Sequence, residues 1–176
     1  QRTSELRARL KGTAPQIQPR FAEDNLTRFC EKHVAVHGTY ELIKSVDIEA
    51  AVIRYLQGLE IDPQIHLGAG PCLDQVGWSE GVFTYKKSAD KNTRVAVSEA
   101  FAAVAETGTL VMCSGSDLLP SHNFLPDDHI VIADSELIVR YQADVWPLLR
   151  VDDHFLQRSV NLITGPLKTG DLEQQI

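Results

Sequence analysis

The 176-residue sequence has only three cysteines, Cys30, Cys72 and Cys113, far apart and with no Cys-x-x-Cys pair. An odd, scattered set excludes a disulfide framework and fits a reducing compartment. It also excludes an iron–sulfur cluster held by a local run of thiolates. No apolar run approaches the roughly 18–20 residues that span a bilayer, and no charged-then-apolar leader opens the chain, so a soluble, cytoplasmic protein is expected. A basic face is missing too. The net charge of −7 argues against a general binder of nucleic-acid phosphates. Gly68-Ala69-Gly70 lacks the third glycine and the following helix of a dinucleotide fingerprint, and no Walker spacing occurs. Internal repeats and low-complexity tracts are absent.

What is present suffices for one compact domain: 43% of the residues are hydrophobic, enough for a core at this length. Charge is uneven. Residues 1–20 hold Arg2, Arg7, Arg9, Lys11 and Arg20 against Glu5, an excess of +4 that leaves −11 for the rest. A short helix Ser4–Leu10 and a Thr13 to Pro19 linker with two prolines read as a separable basic arm, a solvated leading helix or a docking element, before a domain over 21–176.

Within that domain the periodicity predicts a helix through Phe21, Leu26, Phe29 and Cys30, a strand at Val34–Val36, and a helix over Ala51, Val52, Tyr55 and Leu56 capped by Ser45 or Asp47. Strands follow at Ile65–Leu67 and Arg94–Val97, with Cys72–Asn92 unreadable between them. Ser98 is expected to cap a helix over Glu99–Ala105. Strands Leu110–Cys113 and His129–Ala133, a helix from Leu137 to Leu149 weakened at Pro147, and a strand Asn161–Ile163 complete the pattern. Alternation of this kind implies an α/β fold with a mainly parallel sheet covered on both faces.

Two segments concentrate chemistry. In Ala105-Glu106-Thr107-Gly108-Thr109, a carboxylate, two hydroxyls and a glycine free to take positive φ fall within four residues. Glu106 is the candidate general base or nucleophile; the other reading has Glu106 bonding loop amides and the threonines bonding the turn. In Ile163-Thr164-Gly165-Pro166-Leu167-Lys168-Thr169-Gly170-Asp171, the glycines, Lys168 and Thr169 fit an anion cradle for a carboxylate or phosphate, or a plain capped turn. Thr107, Gly108, Thr109, Thr164, Gly165, Lys168, Thr169 and Asp171 are therefore the candidate ligand-binding residues. Asp127-Asp128-His129 and Asp152-Asp153-His154 repeat a tripeptide, but nothing in the spacing makes them converge on a metal, and none is expected. His33, His37, His66 and His122 read as surface or satisfied core residues.

Taken in order, Ala-Glu-Thr-Gly-Thr-Leu-Val (105–111), Leu-Pro-x-x-His-Ile-Val (125–131) and Ile-Thr-Gly-Pro-x-x-Thr-x-Asp-x-Glu (163–173) resemble the signatures of the LUD-domain, or lactate-utilisation, family. The single-domain layout is similar to its small C-type member. The resemblance implies a three-layer α/β/α fold like that of the CoA-transferases, ribose-5-phosphate isomerase and glucosamine-6-phosphate deaminase, whose members use carboxylates in catalysis. It also implies an accessory role in oxidising L-lactate to pyruvate, with iron–sulfur clusters on partner subunits and no cofactor on this chain. A free-standing isomerase, transferase or cyclo-ligase using Glu106, and a ligand-sensing module without chemistry, are the alternatives. The chain departs from the family pattern at Leu167-Lys168-Thr169-Gly170-Asp171, where Ser-Arg-Thr-Ala-Asp is common, and at Asn123, near which the family often has a basic residue.

Overall fold

The computed structural model describes residues 18–115, 119–151 and 159–166. The Ser4–Leu10 helix, Asp152–His154, Lys168, Thr169 and Asp171 lie outside these residues. Helix α1 spans Asn25–Ala35 and α2 spans Ile48–Gly58. Asp24 starts α1: its carboxylate accepts the Thr27 N–H at 3.0 Å and the Thr27 hydroxyl at 2.7 Å, filling a donor that the first turn leaves unpaired. The helix continues through Ala35, where a strand was expected at Val34–Val36. Helix α2 presents Ile48, Val52 and Leu56, spaced four apart and at most 2% exposed, along one buried stripe. Each such side chain contributes on the order of 1.5–3 kcal/mol through burial. Asp47 occupies the N-cap position without a side-chain bond.

Strands β1 (Gln64–Leu67), β2 (Phe83–Tyr85), β3 (Val95–Glu99) and β6 (Asp128–Ile132) form a first sheet, ordered β2-β1-β3-β6 and parallel throughout. Ile65, Leu67, Val95 and Val97 face α2. A second sheet, β7-β4-β5-β8, holds β4 (Ala102–Val104), β5 (Thr109–Cys113), β7 (Ile138–Val139) and β8 (Val160–Ile163). Here β4 runs parallel to β7 but antiparallel to β5, and β5 is antiparallel to β8. Ala103, Leu110 and Met112 pack against α1, while Ala102, Val104, Val111 and Cys113 pack against Val145 and Leu149 of α3 (Val145–Val151). The result is an α/β fold of the three-layer α/β/α type with a parallel first sheet and a mixed second one.

The sheets join where a helix was expected over Glu99–Ala105. Ala100 N–H donates to the Ile132 carbonyl at 2.8 Å, and Phe101 N–H to the Val111 carbonyl at 2.9 Å, so the chain leaves one ladder and enters the next without a turn. Ser98 is a buried strand residue and caps nothing. Alanine's helix preference is a fraction of a kcal/mol per residue. Burial decides instead: β3 and β4 are enclosed by packing layers, and small alanines let those layers approach. The helix expected over Leu137–Leu149 divides into a short 3-10 turn, β7, a second 3-10 turn and α3. Pro147 is the third residue of α3, where its missing N–H costs no helical bond.

Candidate functional site

The Glu106–Thr109 turn and Thr164 meet at one end of the second sheet. The hydroxyls of Thr107 and Thr109 lie 2.6 Å apart, and those of Thr109 and Thr164 are also 2.6 Å apart. Glu106 Oε2 accepts the Gln142 N–H at 3.3 Å. Beside it, Tyr141 donates its hydroxyl to the Pro19 carbonyl at 3.1 Å, and the Arg140 guanidinium bonds the Phe21 carbonyl and lies 4.0 Å over the Phe21 ring. Two glycines with positive φ permit the assembly, Gly108 at 71° and Gly165 at 80°. A Cβ on Gly108 would strike the backbone of His33, and one on Gly165 the Val36 carbonyl. His33 Nδ1 donates to the Gly108 carbonyl at 3.1 Å and its ring stacks on Phe29. Of the expected ligand-binding residues, the structure thus brings together Thr107, Gly108, Thr109, Thr164 and Gly165, with Glu106 alongside, against the end of α1.

A crevice opens elsewhere, at the far end of β5. Gly68, Ser98, Met112, Cys113, Ser114, Leu119, Pro120, Asn123 and Asn161 line it, and the four steps from Thr109 to Cys113 put roughly 13 Å between the two places. It lies beyond the carboxyl ends of β1 and β3, where open parallel sheets bind ligands. Gly68 N–H donates to the Val97 carbonyl at 2.8 Å, and a Cβ there would come within 3.3 Å of Ser98 Oγ, so this glycine keeps the mouth clear. Ser98, Asn123 and Asn161 side chains make no hydrogen bond among the described residues, while Ser114 Oγ accepts the Ser159 N–H. Burial pushes the Cys113 thiol up to about 11. The described walls leave room for about one water, so a larger ligand needs one of them to move outward. One residue past Ser98, Glu99 Oε2 accepts the Cys72 and Leu73 N–H groups at 2.9 and 3.1 Å, pinning the Gly68–Leu73 loop over the strand ends.

Behind Ser98 lies a row of imidazoles. His66 and His129 both pair with Ala96 in the parallel ladders, so they flank this small residue on one sheet face. The His122 ring is 6.1 Å from that of His66. Its Nε2 donates to the Lys87 carbonyl at 2.9 Å, which leaves Nδ1 a bare acceptor. His66 Nδ1, His122 Nδ1 and His129 Nε2 are buried without partners. His66 and His122 are therefore core residues only half satisfied, contrary to the sequence-based expectation. Burial, and then His122, holds His129 down at about 4; burial lowers His122 as well. Among the described residues no group of three candidate ligands is placed to hold a metal. Asp128 accepts the Tyr55 hydroxyl at 2.9 Å, and Asp127 pairs with Arg94 at 3.2 Å.

The LUD domain matches residues 23–176, nearly the whole chain. The chain belongs to the LUD-domain family. This LUD-domain protein shares its fold with the crystal structure of a DUF162 family protein from Deinococcus radiodurans, with a TM-score of 0.65, 15% identity, and coverage of 80% of this chain and 87% of that one. No curated protein matches the chain. The family is associated with lactate utilisation. No helix among the described residues is long and apolar enough to cross a membrane.

Sequence reasoning missed the crevice. Ser98 reads locally as a helix cap, Asn123 only as a departure from the family pattern, Asn161 as a strand residue, and Gly68-Ala69-Gly70 as an incomplete dinucleotide loop. The available signal was positional: Gly68-Ala69-Gly70 directly follows β1, the place where a parallel sheet presents its loops.

Proposed function

We propose that this LUD-domain protein is an accessory subunit of an iron–sulfur-dependent L-lactate oxidation system, and that the crevice at the ends of β1 and β3 seats a small hydroxy acid or its keto product. The observation that carries the reading is the crevice lined by uncommitted Ser98, Asn123 and Asn161 in a chain of this family. One hydroxyl and two carboxamides can donate to carboxylate and keto oxygens and accept from a hydroxyl. The redox centres belong on partner subunits. The three cysteines are far apart in the sequence with no Cys-x-x-Cys pair, so the chain offers no local thiolate run of the kind that holds such a cluster.

A second reading is favoured by the Thr109–Thr164 hydrogen bond, which joins two family signatures. It places the ligand at the Glu106–Thr109 turn, with Lys168 as counter-charge and Glu106 as base. Deleting the gene tests the role: growth on L-lactate should fail, while the purified chain should neither oxidise lactate nor show iron–sulfur absorbance. Normal growth on lactate in a strain without a paralogue would falsify the accessory role.

A further inference from the structure

The Pro120–Asn123 turn supplies Leu119, Pro120 and Asn123 to the crevice wall. Its own backbone bonds are local: His122 N–H to Leu119, and the Phe124 and Leu125 N–H groups to Ser121. Among the described residues, two side chains tie it to the body by hydrogen bonds. Ser121 Oγ accepts the Ala89 N–H at 3.0 Å, and the His122 ring donates to Lys87. That ring is 1% exposed and wedged over the row formed by His66 and His129 on either side of Ala96. The wall of the crevice is thus held by an imidazole inserted among imidazoles.

We propose that these histidines form a proton-operated latch on the crevice: proton uptake by the cluster expels His122 and swings the Pro120–Asn123 turn away from Ser98. The physical reason is a shortage of acceptors. A proton on His122 Nδ1 would create a buried cation whose new N–H meets no acceptor among the described residues, a state costly enough to drive the ring out to water.

Among the described residues, the groups packed on the row are neutral or already bonded. β1 presents His66, whose Nε2 lies 3.4 Å from Thr93 Oγ1; β2 presents Tyr85, with the Lys87 ammonium 5.2 Å above its ring; β3 presents Ala96; β6 presents His129. The neighbouring carboxylates serve elsewhere: Asp90 accepts the Asn92 N–H, Asp127 pairs with Arg94 and Asp128 accepts from Tyr55. The charges that reach His122 and His129 are those of other imidazoles, His66 on the first and His122 on the second, and both disfavour protonation. A first proton therefore makes each further proton harder to hold in the closed form and strengthens the drive to open. The latch does not depend on which ligand the crevice takes.

Cys113 lines the crevice and reports its opening. In the full chain carrying Cys30→Ser and Cys72→Ser, Cys113 labelling by 4,4′-dithiodipyridine is measured from pH 7.5 to 5 and divided by the rate for the unfolded chain at each pH. Near-ultraviolet circular dichroism records the global fold in parallel. The normalised rate should rise about tenfold per pH unit for each proton taken up, while the global fold persists. His122→Gln, which cannot be protonated, should lose the rise. Should that variant fail to fold, the histidine ring resonances of the parent protein serve instead: they should titrate over the same pH range as Cys113 labelling. A flat rate, an equal rise in His122→Gln, a rise that appears only with loss of the dichroism signal, or histidine titration apart from the labelling would each overturn the latch.

Discussion

The two ends of the second sheet differ in kind. At one, the Thr107, Thr109 and Thr164 hydroxyls bond one another, Glu106 accepts the Gln142 N–H, and two glycines press against the end of α1. At the other, Ser98, Asn123 and Asn161 carry no signature motif, and their side chains make no hydrogen bond among the described residues beside the crevice. Dense, ordered motifs are thus equally what close backbone packing demands. Gly108 and Gly165 are required by φ and by contact distance, whatever they also do for a ligand.

The largest effect should fall on the packed end. Gly108→Val places a β-branched residue at φ 71° and against the His33 backbone, and should cost more than about 3 kcal/mol of stability in denaturant unfolding. A loss below 1 kcal/mol would show that the turn is loosely packed.

Acid should test the imidazole row behind the crevice. His129 titrates at about 4 in the fold, below the ordinary 6.5, because burial favours its neutral form. The unfolded chain therefore takes up this proton first. The stability contribution is complete above pH 6.5 and is lost as pH falls from 6.5 towards 4, by roughly 3 kcal/mol in total. His129→Asn should flatten that dependence in unfolding curves taken at several pH values; an unchanged slope would contradict the assignment.

Thr109→Val keeps shape but removes the hydroxyl shared with Thr107 and Thr164. It should lower stability by about 1–2 kcal/mol and leave crevice binding unchanged. Asn123→Ala should do the reverse, changing stability by less than about 0.5 kcal/mol while weakening L-lactate binding in titration calorimetry. Equal affinity for wild type and Asn123→Ala would move the ligand away from the crevice.

Much of the fold was legible because its helices carry their own signals. The helical spacing of Ala51, Val52, Tyr55 and Leu56 marks α2, and Ile65–Leu67, Arg94–Val97 and Leu110–Cys113 read as strands from their apolar content. The error at Glu99–Ala105 has a single cause: an alanine run states its local preference clearly, but nothing local reports burial within packed layers. The same limit hid the crevice. Ser98, Asn123 and Asn161 come from three distant segments, and only the β3-to-β4 crossing brings them to one wall. Thr109 and Thr164 both sit in recognisable motifs, but their hydrogen bond comes from the β5–β8 ladder, which no local signal reports.

The most direct test of the contrast is amide chemical-shift mapping of the isotopically labelled protein titrated with L-lactate. The account predicts that the shifts centre on Gly68, Ser98, Ser114, Asn123 and Asn161, with the Glu106–Thr109 turn and Thr164 little changed. Shifts centred on Glu106, Thr107, Thr109 and Thr164, with the crevice silent, would contradict it and place the ligand at the signature turn.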